Sequence, residues 1–174
     1  MLHRVGIYPG TFDPMHIGHL SFALKALSVS KLDKIIILPE KYPRGKEHVT
    51  DLPTRVSQME SLTKNYSQLK VFTLKTMPIT LRSEKQELAH IFETNDVVLL
   101  LGSDILPNLV QWQDIAQLLH DHELCIGMRG NDTPQSVRDD ILKLEKQFSL
   151  DIPYSTVTTK HKNISSTKIR AQSE

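Results

Sequence analysis

The segment Tyr8-Pro-Gly-Thr-Phe-Asp-Pro-Met-His-Ile-Gly-His19 holds two imidazoles and two glycines in a single stretch of turn residues. A short apolar run, Val5 to Tyr8, precedes it. After it the apolar residues Ile17, Leu20, Ala23, Leu24 and Leu27 fall at helical spacing. The segment therefore reads as a strand-to-helix turn. Gly10 and Gly18 permit close backbone approach, and a helix N-terminus offers unpaired N–H groups to an anion. His16 and His19 are three apart, so a helix puts them on one side. Two imidazoles there can donate to phosphate oxygens and stabilise a departing phosphate. A lone His-x-x-His is more often just two histidines in a turn. Zinc is disfavoured, because the Glu and the i,i+4 spacing of a metalloprotease helix are missing.

A second segment with chemical content is Ile164-Ser-Ser-Thr-Lys-Ile-Arg170. Three hydroxyls stand where a helix begins, with Arg170 one turn further on. Such hydroxyls and N–H groups can hold a terminal phosphate, and a guanidinium adds a charge-assisted contact. Serine or threonine at a helix start, taken alone, is more often a simple cap, and a lone arginine more often a solvated charge.

The elements that must position these residues follow from the apolar pattern. Strands are expected at Val5–Tyr8, Lys34–Leu38, Val71–Leu74, Val97–Leu101, Leu124–Met128 and Tyr154–Thr158. Helices are expected from Ile17, from Pro53, from a Ser83/Gln86 capping box, over Ile115–Leu119, from Thr133-Pro134 and from Ser165. Alternating strand and helix argues a doubly wound α/β fold with a mainly parallel sheet. Ligands then bind beyond the carboxyl ends of the strands. Three stretches are expected to meet there: the Gly10–His19 turn, the Gly102–Asp104 turn and the Ser165–Arg170 helix start. One domain spanning 1–174 is expected at this length.

Composition bounds the function classes. Hydrophobic residues are 39% of 174, enough for one core, and the formal net charge is +1. That balance gives no case for nucleic-acid or membrane-surface binding. A single cysteine, Cys125, excludes an intrachain disulfide, and its apolar setting reads as a buried, inert thiol. No apolar stretch approaches the ~20 residues of a membrane span, and the early Pro9-Gly10 turn argues against a signal peptide. A cytoplasmic protein is expected, and a homo-oligomer is compatible with the sequence.

The first segment resembles the Gly-Thr-Phe-Asp-Pro-x-His-x-Gly-His turn of the nucleotidyltransferase superfamily. The second resembles the Ile-Ser-Ser-Thr-x-Ile-Arg motif at the other end of those chains. With Gly102-Ser-Asp104 and then Trp112, the chain most resembles the bacterial nicotinate-nucleotide adenylyltransferase family. The resemblance implies a Rossmann-like fold and transfer of AMP from ATP to nicotinate mononucleotide, giving deamido-NAD and pyrophosphate. Mg²⁺ would come with ATP, and no metal would be held by the protein itself. It implies that Gly10, Thr11 and Phe12 run along the phosphates, and that His16 and His19 assist the leaving pyrophosphate. Gly102 and Asp104 would line the adenosine site, Trp112 would stack on the pyridine ring, and Ser165, Ser166, Thr167 and Arg170 would clamp the outer phosphates. One or both of Lys46, in the basic loop after the second strand, and Arg55, near the next helix start, are expected to hold the acceptor's phosphate.

Three departures from the family pattern concern the acceptor and the end of the chain. Met77-Pro-Ile-Thr-Leu-Arg-Ser83 replaces the family's Pro-Ser-Tyr-Thr-x-Asp-Thr-Leu, Gly45-Lys46 replaces a His-Lys pair, and the sequence stops four residues after Arg170. Two other readings compete. Phosphopantetheine adenylyltransferase shares the Tyr-Pro-Gly-Thr-Phe-Asp-Pro opening but usually continues Thr-Asn-Gly-His and lacks the Ile-Arg ending. A nucleotide-binding module without catalysis is the non-enzymatic alternative. Class I aminoacyl-tRNA synthetases share His-Ile-Gly-His, but are far longer and carry a Lys-Met-Ser-Lys-Ser loop that this chain lacks.

Overall fold

The computed structural model describes residues 3–41, 43, 48–74, 81–112 and 114–171. Strands β1 (His3–Gly10), β2 (Lys34–Pro39), β3 (Leu69–Val71), β4 (Asn95–Gly102), β5 (Glu123–Gly127) and β6 (Tyr154–Val157) form one sheet in the order β3-β2-β1-β4-β5-β6. All five pairings are parallel. Helices α1 (Ile17–Val29), α2 (Leu52–Thr63), α3 (Leu81–Thr94), α4 (Ile115–Asp121), α5 (Pro134–Phe148) and α6 (Ser166–Arg170) connect or follow the strands. A 3₁₀ helix, Ser103–Gln111, continues directly from β4. From β1 the chain winds outward through β2 and β3, then returns to start β4 on the other side of β1. The gap between β1 and β4 is thus the topological switch point, where such sheets open a crevice at their carboxyl edge.

The strand sequences explain the layering. Val97 to Leu101 has no polar alternation, and every residue in it is nearly inaccessible. Val97, Leu99 and Leu101 join a core with α3, α4, α5 and the 3₁₀ helix, whereas Val98 and Leu100 join one with α1 and α2. Helices therefore cover both faces, as a parallel sheet requires. Truncating Leu100 to Ala in such a setting costs about 2–5 kcal/mol.

Local signals set most of the ends. Asp51 caps α2 through the Thr54 N–H, with proline in its first turn, and Thr133 and Ser136 form the capping box of α5. Two expectations shift. The third strand is Leu69–Val71 rather than Val71–Leu74, because its register is fixed on Ile35–Ile37 of β2. Leu74 is buried but lies beyond the ladder. Helix α3 begins at Leu81, so Ser83 falls inside its first turn instead of capping it. Of the 77–83 departure, residues 77–80 lie outside the described residues.

Candidate active site

Helix α1 is opened by histidines. His16 is the N-cap, in extended backbone, and its Nδ1 accepts the Gly18 N–H at 3.1 Å. The His16 N–H in turn donates to Nδ1 of His19 at 3.2 Å. The pair reproduces a capping box with two imidazoles in place of Ser and Glu. Their rings lie close together and tilted, centroids 3.8 Å apart and 31° between planes. A Cβ on Gly18 would come within 2.9 Å of the His16 ring, so the compact cap requires glycine there.

This geometry assigns the protons. Because His16 Nδ1 accepts, the neutral ring carries its proton on Nε2. Burial, and then the positive charge of Arg129, pull the His16 pKa down to about 4, so the ring is neutral at physiological pH. His16 is 6% exposed, and its Nε2 is buried with no hydrogen-bond partner among the described residues. An orphaned buried donor costs about 1–3 kcal/mol unless a ligand satisfies it. A phosphate oxygen is the acceptor that suits a donor at a helix N-terminus.

Arg129, just beyond β5, completes the arrangement. Its Nη2 lies 3.4 Å from His19 Nε2, its Nε lies 3.6 Å from Asp104 Oδ1, and its Nη1 donates to the Ile164 carbonyl. Its own N–H donates to Ser103 Oγ at 2.9 Å. One guanidinium thus touches the end of β4, the start of α1 and the approach to α6. The sequence reading missed it. The available signal was its position at the carboxyl end of a buried strand, the edge where ligands bind in this topology. A shallow cleft, open to solvent, is lined here by Tyr8, Gly18, Gly102, Arg129, Thr159 and Lys162, among others. Asp104 projects its carboxylate over Gly102, so close that a Cβ on Gly102 would lie 2.3 Å from its Oδ1.

The two end motifs dock onto each other. Ser165 caps α6 through the Lys168 N–H, and Ser166 Oγ donates to the Pro14 carbonyl at 2.9 Å. Arg170 donates to the Asp13 carbonyl and faces the Asp13 carboxylate at 3.6 Å. Thr167 is exposed. Gly10, Thr11 and Phe12 form the turn between β1 and these contacts. Phe12 adopts φ 49°, a left-handed conformation that costs a non-glycine residue roughly 1–2 kcal/mol. Its buried ring packs edge-on against Tyr8 and His19, both at 5.1 Å.

Three expected acceptor contacts fare differently. Arg55 is corrected: it is 1% exposed, and Nε, Nη1 and Nη2 donate to the carbonyls of Thr50, Thr11 and Glu40. It faces backbone rather than a ligand phosphate, because three carbonyls converge on it. Lys46 lies outside the described residues. Trp112 ends the 3₁₀ helix and packs, half-buried, against the core that contains Leu109 and Ile115. That core lies on the sheet face opposite Tyr8, Phe12 and α1.

Among the described residues no group of three or more His, Cys, Asp or Glu side chains gathers as a metal site. No described helix is long and apolar enough to cross a membrane.

The sequence model described as cytidylyltransferase-like matches residues 7–172. A relative from Dictyoglomus thermophilum, named a probable nicotinate-nucleotide adenylyltransferase, is 31% identical over 90% of this chain and 84% of its own length. One of the same name from Clostridium botulinum is 31% identical over 97% of this chain and 85% of its own. Among solved structures, nicotinic acid mononucleotide adenylyltransferase of Plasmodium falciparum, complexed with NaAD, superimposes with a TM-score of 0.77. It is 18% identical and covers 97% of this chain and 83% of its own, a likeness of fold.

Proposed function

The chain belongs to the cytidylyltransferase-like family, in its nicotinate-nucleotide adenylyltransferase branch, and from that membership we propose how its residues carry the reaction. The activity is adenylyl transfer from ATP to nicotinate mononucleotide, giving deamido-NAD and pyrophosphate. The mononucleotide's phosphate oxygen bonds to the α-phosphorus of ATP in line, and the bond from that phosphorus to the bridging oxygen breaks. No protein nucleophile takes part. Burial pushes the Cys125 thiol pKa up, away from reactivity, and its side chain packs in the core.

Catalysis then rests on positioning and on charge stabilisation. The single observation that carries this reading is the orphaned His16 Nε2–H, buried beside His19 and Arg129 at the start of α1. A neutral donor aimed at a developing anion stabilises the leaving pyrophosphate. His19 and Arg129 act on the same charge, and Arg170 with the Ser165–Thr167 hydroxyls acts on the outer phosphates. Gly102 and Asp104 are assigned to adenosine, and Lys46 and Trp112 to the acceptor. Mg²⁺ arrives with ATP as part of the substrate and shares the triphosphate charge. A cytoplasmic setting suits the lone reduced cysteine.

Pyrophosphate release with ATP and Mg²⁺ tests the proposal against a panel of nicotinate mononucleotide, nicotinamide mononucleotide and phosphopantetheine. Turnover greatest with nicotinate mononucleotide is expected. Turnover only with phosphopantetheine would move the chain to that acceptor. ATP binding without turnover on any acceptor would leave a non-catalytic nucleotide module.

A further inference from the structure

Among the described residues, the guanidinium of Arg55 is the one large charged group on a fully buried side chain, and it touches three separate pieces of backbone. Nη1 donates to the Thr11 carbonyl, Nη2 to Glu40 just after β2, and Nε to Thr50 just before the Asp51 cap of α2. Thr50 is also gripped from its other side, its N–H donating to the buried Asp13 carboxylate at 3.3 Å. The Glu40 N–H donates to the Gly10 carbonyl at 2.8 Å. Gly10, Thr11, Asp13, Glu40 and Thr50 are thus tied into one frame, with Arg55 at its centre.

We propose that Arg55 is a positioning residue for adenylyl transfer, aiming the Thr11–Phe12 peptide at the nucleotide phosphates by holding the Thr11 carbonyl. In a trans peptide the carbonyl and the following N–H point in opposite directions. Holding the Thr11 carbonyl on Arg55 therefore turns the Phe12 N–H to the side away from Arg55. Phe12 is in a left-handed conformation, which the chain adopts only where its surroundings impose it. Its buried ring fixes one end of that constraint and Arg55 the other. A lysine cannot replace this arrangement, because it lacks the planar fork that serves three carbonyls at once.

The catalytic consequence rests on the function proposed above; the clamp itself does not. Arg55→Lys, assayed well below its unfolding midpoint, is expected to lose at least ~10-fold in kcat/KM for ATP, since small misplacements of positioning groups are costly. Its Phe12 amide resonance is expected to shift or broaden while those of α5 stay in place. A merely structural residue would lower the melting temperature and leave both readings at wild-type values, and that result overturns the proposal. The wild-type protein supplies a second reading. The Nε–H and Nη–H protons of Arg55 should exchange slowly with solvent, and fast exchange overturns the clamp even if no Arg55 variant folds. Should the wild type release no pyrophosphate, the function fails, while the amide and guanidinium signals still decide the clamp.

Discussion

Arg170 meets Asp13 across a sequence separation of 157 residues, donating to its carbonyl and lying 3.6 Å from its carboxylate. The Asp13 side chain is 4% exposed and that of Arg170 is 39% exposed. The contact therefore joins the two signature segments through a buried acid and a half-open base. Removing Arg170 leaves a buried carboxylate short of its partner, while the open side of the guanidinium moderates the loss. Arg170→Ala is expected to destabilise the fold by about 1–2 kcal/mol. A double-mutant cycle with Asp13→Asn reads only the ion-pair part of this loss, because the hydrogen bond to the Asp13 carbonyl survives the substitution, and it should show coupling between the two side chains. Arg170→Ala should also raise the Michaelis constant for ATP about 10- to 100-fold, more than that for the acceptor. Additive stability losses would sever the pair, and an unchanged ATP constant would remove Arg170 from the phosphate site.

His16 makes the stability of the free protein depend on pH. Its pKa is about 4 when folded, against an ordinary value of 6.5. Between those values the unfolded chain binds more protons than the native one, so stability rises with pH. The contribution is complete above about pH 6.5 and is lost as pH falls toward 4, for a total of roughly 2–4 kcal/mol. His16→Asn keeps a capping side chain and removes the titration. Denaturant midpoints measured from pH 7.5 to 4.5 should fall less steeply for that variant. Parallel profiles would refute the depressed pKa.

Catalysis should depend on both rings. His16→Ala and His19→Ala each remove a group aimed at developing charge, and each is expected to lower kcat at least ~10²-fold in folded protein. Both variants also loosen the start of α1, because His16 Nδ1 accepts the Gly18 N–H and His19 Nδ1 accepts the His16 N–H. Near-normal turnover in both would end the catalytic assignment.

Arg129 offers the sharpest test of what the structure adds. It links His19, Asp104 and Ile164, so its loss removes a charge-assisted phosphate contact and frees three elements from one another. Arg129→Ala is expected to weaken ATP by about 10- to 100-fold. Arg129→Lys should recover only part of that loss, because a point charge cannot span the three partners. Because Arg129 also depresses the His16 pKa, Arg129→Ala should raise the histidine's titration midpoint in an NMR pH series. An unmoved midpoint would break the link between them.

Periodicity made the alternation of strands and helices readable, and with it the edge where the turns at Gly10 and Gly102 and the start of α6 meet. What stayed hidden depends on convergence rather than pattern. Nothing around Arg55 in sequence marks a buried guanidinium, since its three carbonyls come from Thr11, Glu40 and Thr50. The same holds for Arg129, an isolated arginine whose partners lie on other elements. The sequence places the third strand at Val71–Leu74 because Leu74 is apolar and buried, although the strand pairing with β2 ends at Val71.

Trp112 separates packing from recognition. Its ring packs half-buried against the core with Leu109 and Ile115, which by itself predicts a purely structural role. It stands at the end of the 3₁₀ helix that leads away from Gly102, and it is half-buried rather than closed off from solvent. A flat, positively charged pyridinium stacked there would gain an aromatic and a cation–π contribution. Trp112→Leu distinguishes the two, because leucine retains most of the packing and removes the stacking face. Recognition predicts a Michaelis constant for nicotinate mononucleotide raised about 3- to 30-fold, with ATP nearly unaffected. Packing alone predicts a lower melting temperature and unchanged constants. Fluorescence gives an independent check, since the chain has one tryptophan and any quench by the mononucleotide has a single source. Quenching that saturates with the mononucleotide and not with ATP is the expected result. A silent ring together with unaltered kinetics in Trp112→Leu would make it a core residue and move the pyridine site elsewhere.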